Sequence, residues 1–268
     1  MNGYRSIGVA QTCPVRGDID ANLEQHLRLV RLAADCGARV LVFPELSLTG
    51  YELDLAARLA LSEDDARLAA VSDAARACAL TVILGAPIRI GLRLHIGAFV
   101  VDSSGARSVY TKQRLGAFDD NARCDGSLPP AEPTIFQPGT LDPLVQLDDS
   151  SAAIAICADT GLAAHAERAA ARGVRAYLAS MFVIRSEFAE DSARLRGYAR
   201  QHALCVALSN FGCATGGLAA AGRSSIWSET GELVLELAPS GVGLGVATET
   251  SDGWHSHVAM LAAASARE

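Results

Sequence analysis

The chain has 268 residues, half of them hydrophobic, and a formal net charge of −7 at pH 7. That share of apolar residues supplies a sizeable core, and a chain this long fits one α/β domain of roughly 200–250 residues or two modest ones. The acidic balance and the absence of any Lys/Arg run argue against a nucleic-acid partner, whose phosphates need basic patches, and equally against a membrane-surface role.

The opening stretch MNGYRSIGVAQTCP has a short apolar part and no cleavage-type site after it, so no signal peptide is expected. No uninterrupted apolar run reaches the roughly 20 residues of a bilayer span. A cytoplasmic location is the expectation. Seven cysteines, an odd number with no CxxC spacing, fit neither a disulfide framework nor a zinc ribbon. Most are expected to be reduced core thiols.

Short apolar runs bounded by turn or polar residues predict strands at 6–11, 38–44, 80–86 and 94–101. Between them Leu23, Leu27, Val30 and Ala34 recur at helical spacing, as do Leu68, Val71, Ala75 and Cys78. The second helix opens on SEDD, a capping-box-like start at Ser62. A strand at 107–112 precedes a segment, 116–143, rich in Pro, Gly and Asp. Irregular segments of that length inside a compact domain are usually functional or disordered. Strands follow at 152–157, 175–180, 204–209, 223–228, 232–237 and 242–248, with helices at 162–172 and 186–202. The alternation predicts a layered α/β fold. No linker and no strong repeat divides the chain, so 1–268 is read as a single domain, with the tail AAASARE frayed or held by a partner.

Several motifs fail on inspection. GLAAAGRS, at 217–224, has P-loop spacing but Arg in place of Lys, and it runs into a strand where a phosphate loop needs a helix N-terminus. GVGLG near 241 has no helix behind it, so dinucleotide binding is not expected. His255 and His257 lack a third ligand nearby, and no metal is expected there. There is no GxSxG elbow. No cofactor is implied.

What remains is three ionisable groups at strand ends. Glu45 closes VLVFPE, Lys112 closes SVYTK and Cys157 closes AIAIC. In a layered α/β fold the carboxyl ends of neighbouring strands converge on one crevice. Taken singly, a strand-end glutamate or lysine is an ordinary surface charge, and a cysteine is an ordinary core residue. Three together, in the order Glu, Lys, Cys and each inside an extended phrase, reverse that reading.

Those phrases resemble the nitrilase, or carbon–nitrogen hydrolase, superfamily. The matching segments are IGVAQTCPVRGDIDANL, VLVFPELSLTGY, VYTKQRL, AEPTIFQPG, AIAICAD and LSNFGCATGGLAAAGRSSIWSETGELV, which cover about the first 235 residues. The resemblance implies an α-β-β-α sandwich of two mixed sheets that pairs into homodimers through its outer helices. It implies a Glu–Lys–Cys site at Glu45, Lys112 and Cys157, with Glu132 as a second glutamate before the FQPG phrase.

A thiol with an ordinary pKa of ~8.5 is mostly protonated at neutral pH. A helix beginning just past Cys157 and the charge of Lys112 would both favour thiolate. Glu45 would carry the proton between the thiol and the leaving nitrogen. Lys112 and the backbone N–H of Ala158 would hold the oxyanion, and Asp159 would cap the turn. Tyr51, Asp159, Phe182, Arg185 and Glu187 are candidates for the substrate pocket, the last three equally suited to packing or a helix cap, and His165 could reach the site from its helix or lie exposed.

Many amidases of the superfamily carry an arginine shortly after the cysteine. Here the sequence reads ADTGLAAH, which leaves the substrate open. The expected reaction is hydrolysis of a C–N bond in a small amide, ω-amide or N-carbamoyl compound through a cysteine acyl-thioester. Acyl transfer to an amine, nitrile hydrolysis and a non-catalytic binding role are the alternatives.

Overall fold

The computed structural model describes residues 5–118, 123 and 125–261. Its strands are β1 (Ser6–Gln11), β2 (Val40–Val42), β3 (Thr81–Ile90), β4 (Arg93–Val101), β5 (Arg107–Thr111), β6 (Val145–Leu147), β7 (Ser150–Ile156), β8 (Ala176–Ser180), β9 (Cys205–Ser209), β10 (Ser225–Trp227), β11 (Leu233–Glu236), β12 (Gly243–Thr250) and β13 (Gly253–Met260). The helices are α1 (Ile19–Asp35), α2 (Ala56–Leu59), α3 (Ala69–Cys78), α4 (Ala163–Ala171) and α5 (Phe188–His202).

Two mixed sheets result. One has seven strands in the order β13-β12-β1-β2-β3-β4-β5, and the other has six in the order β11-β10-β9-β8-β7-β6. Within them β1, β2 and β3 run parallel, as do β7, β8 and β9, while the hairpins pair antiparallel. Of the parallel strands, β1, β2, β8 and β9 are buried along their whole length, as their largely apolar sequences require.

The layers follow from which faces are apolar. Ile7, Val9, Val42, Ile83, Ile154, Ile156, Leu178 and Ala207 meet between the sheets. Leu23, Leu29, Val30, Val71 and Ala75 bring α1 and α3 onto the outer face of the seven-stranded sheet. Ala166, Ala169, Leu195 and Ala199 bring α4 and α5 onto the other sheet. The order is helix, sheet, sheet, helix.

Three details depart from the sequence reading. The strand expected over 38–44 shrinks to Val40–Val42 because Pro44 has no N–H to give the ladder. Ser62 caps no helix; its hydroxyl donates to Asp64, and Asp65 caps the short turn before α3 instead. Strands β6 and β13 are not predicted from sequence, because VQL is three residues long and GWHSHVAM is exposed along most of its length, its apolar residues broken up by His255, Ser256 and His257.

Candidate active site

Glu45, Lys112, Glu132 and Cys157 meet beside one cavity of about 580 Å³; Glu132, Cys157 and Ala158 line it, while Glu45 and Lys112 are buried behind that wall. The strand-end argument holds in outcome but not in detail. Strands β2 and β5 run in the same direction with β3 and β4 between them, a separation of about 14 Å at ~4.8 Å per strand. Cys157 follows β7 in the other sheet.

The gap closes because the turn after β2 crosses over β3. Gly85 of β3 makes this possible: a Cβ there would lie 2.4 Å from Leu46 N and 2.5 Å from Pro44 O. The crossing turn is fixed at several points. Leu48 N donates to Gly85 O (3.0 Å), Ser47 N to Pro44 O (3.1 Å) and Glu45 N to Met181 O at the end of β8 (3.3 Å). Leu46 takes φ = 53° and Cys157 φ = 41°, left-handed conformations that cost a residue with a Cβ about 1–2 kcal/mol. Cys157 is thus the bend itself between β7 and the 3₁₀ turn Cys157–Gly161. That bend carries the half-buried thiol to the cavity wall.

The ammonium of Lys112 lies between two carboxylates. Nζ donates to Glu45 Oε1 at 2.6 Å and to Glu132 Oε1 at 2.8 Å, and all three side chains are buried. Glu132 is held in turn by Tyr51 Oη (2.7 Å) and by Gly116 N–H on its Oε2 (2.7 Å). The second oxygen of Glu45, Oε2, is buried and receives no N–H or O–H donor among the described residues. Cys157 Sγ is oriented toward Phe182 O at 3.7 Å.

Burial dominates the proton affinities. It pushes the Glu45 carboxyl up to about 7; Lys112 opposes this, Glu132 adds to it, and contact with the Cys157 thiol lowers it slightly. Burial lowers the pKa of Lys112, but Glu132 and Glu45 more than offset it, so the group stays an ammonium. The Cys157 thiol is pushed well above its ordinary range by burial first, then by Glu45, against the pull of Lys112. This corrects the expectation of a standing thiolate. Two carboxylates outweigh one ammonium, and α4 begins only at Ala163, after the 3₁₀ turn. The resting group is a thiol with a base beside it.

The remaining sequence candidates divide. Tyr51 lines the cavity, and its ring packs against Phe118 and Phe182. Phe182 contributes its carbonyl to Cys157 while its ring is buried among Tyr51, Phe118 and Phe211. Arg185 is not a lining residue: it is exposed to solvent on the turn before α5. Asp159 is fully buried behind the turn, with both oxygens taken by Tyr110 and backbone N–H groups. His165 is also buried, between Tyr110 and Tyr177. Glu187, a pocket candidate from sequence, does line the cavity; the residues missed from sequence are Leu115, Gly116, Phe118, Met181 and the charged group Glu190, Asp191 and Arg194, which α5 brings beside it. One cheap signal was also missed: Lys112 is the only lysine in the chain.

No group of three or more His, Cys, Asp or Glu among the described residues could hold a metal ion. No helix among them is long and apolar enough to cross a membrane.

Comparison with known proteins places this geometry. The fold is that of an amidase from Nesterenkonia sp. AN1, with a TM-score of 0.79 at 23% identity over 92% of this chain and 90% of that one. A glutamate-to-glutamine variant of that amidase is known with the acetamide moiety of fluoroacetamide on its active-site cysteine, and a cysteine-to-alanine variant in complex with butyramide. Among curated relatives, a nitrilase of Pseudomonas syringae pv. syringae is 31% identical over 125 residues, 41% of this chain and 37% of its own. A glutamine-dependent NAD(+) synthetase of Thermotoga maritima is 32% identical over 158 residues, 57% of this chain and 25% of its own. The chain thus spans well under half the length of these two relatives. The profile of the carbon-nitrogen hydrolase family matches residues 6–255, and the chain belongs to that family.

Proposed function

We propose that the chain is a hydrolase of small amides, ω-amides or N-carbamoyl compounds, with Cys157 as nucleophile, Glu45 as general base and acid, and Lys112 as oxyanion holder. The observation that carries this reading is the buried Glu45 carboxyl, which interacts with the Cys157 thiol, has Oε1 fixed by Lys112 and has no donor to Oε2 among the described residues. A buried carboxylate oxygen without a donor is costly unless it serves to accept a proton.

In the proposed cycle Sγ bonds to the amide carbon as its proton passes to Glu45, so a free thiolate never has to persist. The carbonyl electron pair moves to oxygen, facing Lys112 Nζ and the Ala158 N–H. The C–N bond then breaks, its electron pair stays on nitrogen, and Glu45 returns the proton to that nitrogen. The acyl-thioester remains. Water gives a proton to Glu45 and its oxygen to the acyl carbon, the C–S bond breaks, and the proton returns to sulfur. Glu132, braced by Tyr51 and Gly116, keeps the ammonium directed at the reacting oxygen.

The relatives named as nitrilases support a second reading, in which the same cysteine adds to a nitrile carbon. We also propose that 1–268 folds as a single unit and pairs through its outer helices.

The deciding experiment incubates the protein with a panel of amides, N-carbamoyl compounds and nitriles, with and without an amine acceptor. It reads ammonia, products and the intact mass of the enzyme. An acyl adduct on Cys157 with ammonia released from amides is expected. Release from nitriles alone supports the second reading, and acylated amine as the main product makes the chain a transferase. No adduct and no product from any compound overturns the catalytic assignment.

A further inference from the structure

Lys112 and Cys157 belong to different sheets, so some element must set the distance between them. We propose that Asp159 is the positioning residue that does so, its carboxylate tying the backbone around Lys112 to the turn that carries Cys157. This rests on the roles of Lys112 and Cys157 proposed above.

A carboxylate has about four lone-pair sites, and all four are used here. Oδ1 accepts from Gln113 N at 3.0 Å and from Arg114 N at 2.7 Å, the two residues after Lys112. Oδ2 accepts from Ile156 N at 3.0 Å, the residue before Cys157, and from Tyr110 Oη at 2.7 Å, two residues before Lys112. Three donors thus come from the Lys112 segment and one from the Cys157 turn. Asp159 is fully buried and lines no part of the cavity, so it acts only through these bonds.

A second shell fixes the carboxylate. Because Tyr110 donates to Asp159, its oxygen is an acceptor toward His165 Nε2, 3.0 Å away. His165 Nε2 therefore carries the ring proton, and Nδ1 accepts from Tyr177 Oη at 2.8 Å. Burial lowers the pKa of His165 and keeps the ring neutral, which permits this one tautomer. The directed chain Tyr177–His165–Tyr110–Asp159 crosses from β8 through α4 to β5 and ends on the turn of Cys157. Catalytic constellations tolerate misplacement of only about 0.5 Å, and hydrogen bonds that hold the supporting carboxylate in this way supply that precision.

The test uses the full chain with Asp159→Asn and Tyr110→Phe. The first readout is the rate of Cys157 alkylation by iodoacetamide against pH, followed by peptide mass, which needs no substrate. Lys112 favours the thiolate, whereas Glu45 and Glu132 oppose it, so an ammonium that drifts away shifts the alkylation profile to higher pH. Asp159→Asn is expected to produce that shift and to lower kcat by about 10²-fold on an amide substrate, with KM within about threefold. Tyr110→Phe is expected to move both in the same direction by a smaller factor.

Folded variants with unchanged alkylation profile and unchanged kcat overturn the proposal, leaving Asp159 a stabilising group only. A raised KM at constant kcat also overturns it. Should Asp159→Asn fail to fold, Tyr110→Phe decides alone, since it keeps the ring and removes only the hydroxyl with its bonds to Asp159 and His165. If the wild type turns over no amide, the hydrolase reading fails by itself, while the alkylation arm still tests the positioning role.

Discussion

In the proposed mechanism Cys157, Glu45 and Lys112 act through one shared proton and one fixed charge, and each makes a separable prediction. Cys157→Ala is expected to abolish turnover, a loss of about 10⁴-fold or more as for other covalent nucleophiles, while circular dichroism and the melting temperature stay near wild type. Glu45, pushed up to about 7, works as a base only when ionised. The ratio kcat/KM should therefore climb with pH to a plateau above about 7, as a pH–rate profile would show. Stability should run the other way. The native state holds the Glu45 proton over the window from 4.5 to about 7 where the unfolded chain releases it, so the contribution of this group is greatest below that window and is lost as pH rises through it. Lys112→Met leaves Glu45 and Glu132 buried without their common counter-ion. A loss of about 3–5 kcal/mol in denaturant unfolding at neutral pH is expected.

The elements matter through how they bend. The turn after β2 must cross β3 to bring Glu45 to Lys112, and only a residue without a side chain at position 85 leaves it room. Gly85→Ala is expected to cost about 1–3 kcal/mol as an overpacking change. It should also cut kcat by about 10²-fold by displacing the base, a pairing of effects that steady-state kinetics and thermal unfolding would detect together. The short β2 and the left-handed Leu46 and Cys157 are thus features of the site rather than irregularities of the sheets. Local sequence could not show this, because the partner that dictates each bend lies on another strand.

At the scale of the whole molecule, side-chain hydrogen bonds join the two sheets under the site. Ser180 Oγ donates to Phe43 O at 2.8 Å, and Ser209 Oγ donates to Ala10 O at 2.5 Å. Ser180→Ala strands the buried carbonyl of Phe43, with an expected cost of about 1–3 kcal/mol. Because the sheets share one core, unfolding of this variant and of the wild type should remain a single calorimetric transition; two resolved transitions would argue against the one-domain reading.

The order of strands and helices was legible because buried strands and amphipathic helices write their burial into hydrophobic period, and β1, β9, α4 and α5 fall within two residues of where that period puts them. The candidate groups were legible too, since Glu45, Lys112 and Cys157 each close a predicted strand. Sequence alone determined the layered α/β class and this set of groups. Only the tertiary structure decided that the groups meet across two sheets, that Asp159 faces the backbone and not a substrate, that Arg185 faces solvent, and that the thiol rests protonated. Those outcomes depend on burial and on distances between residues far apart in the chain, and periodicity along a single segment carries neither.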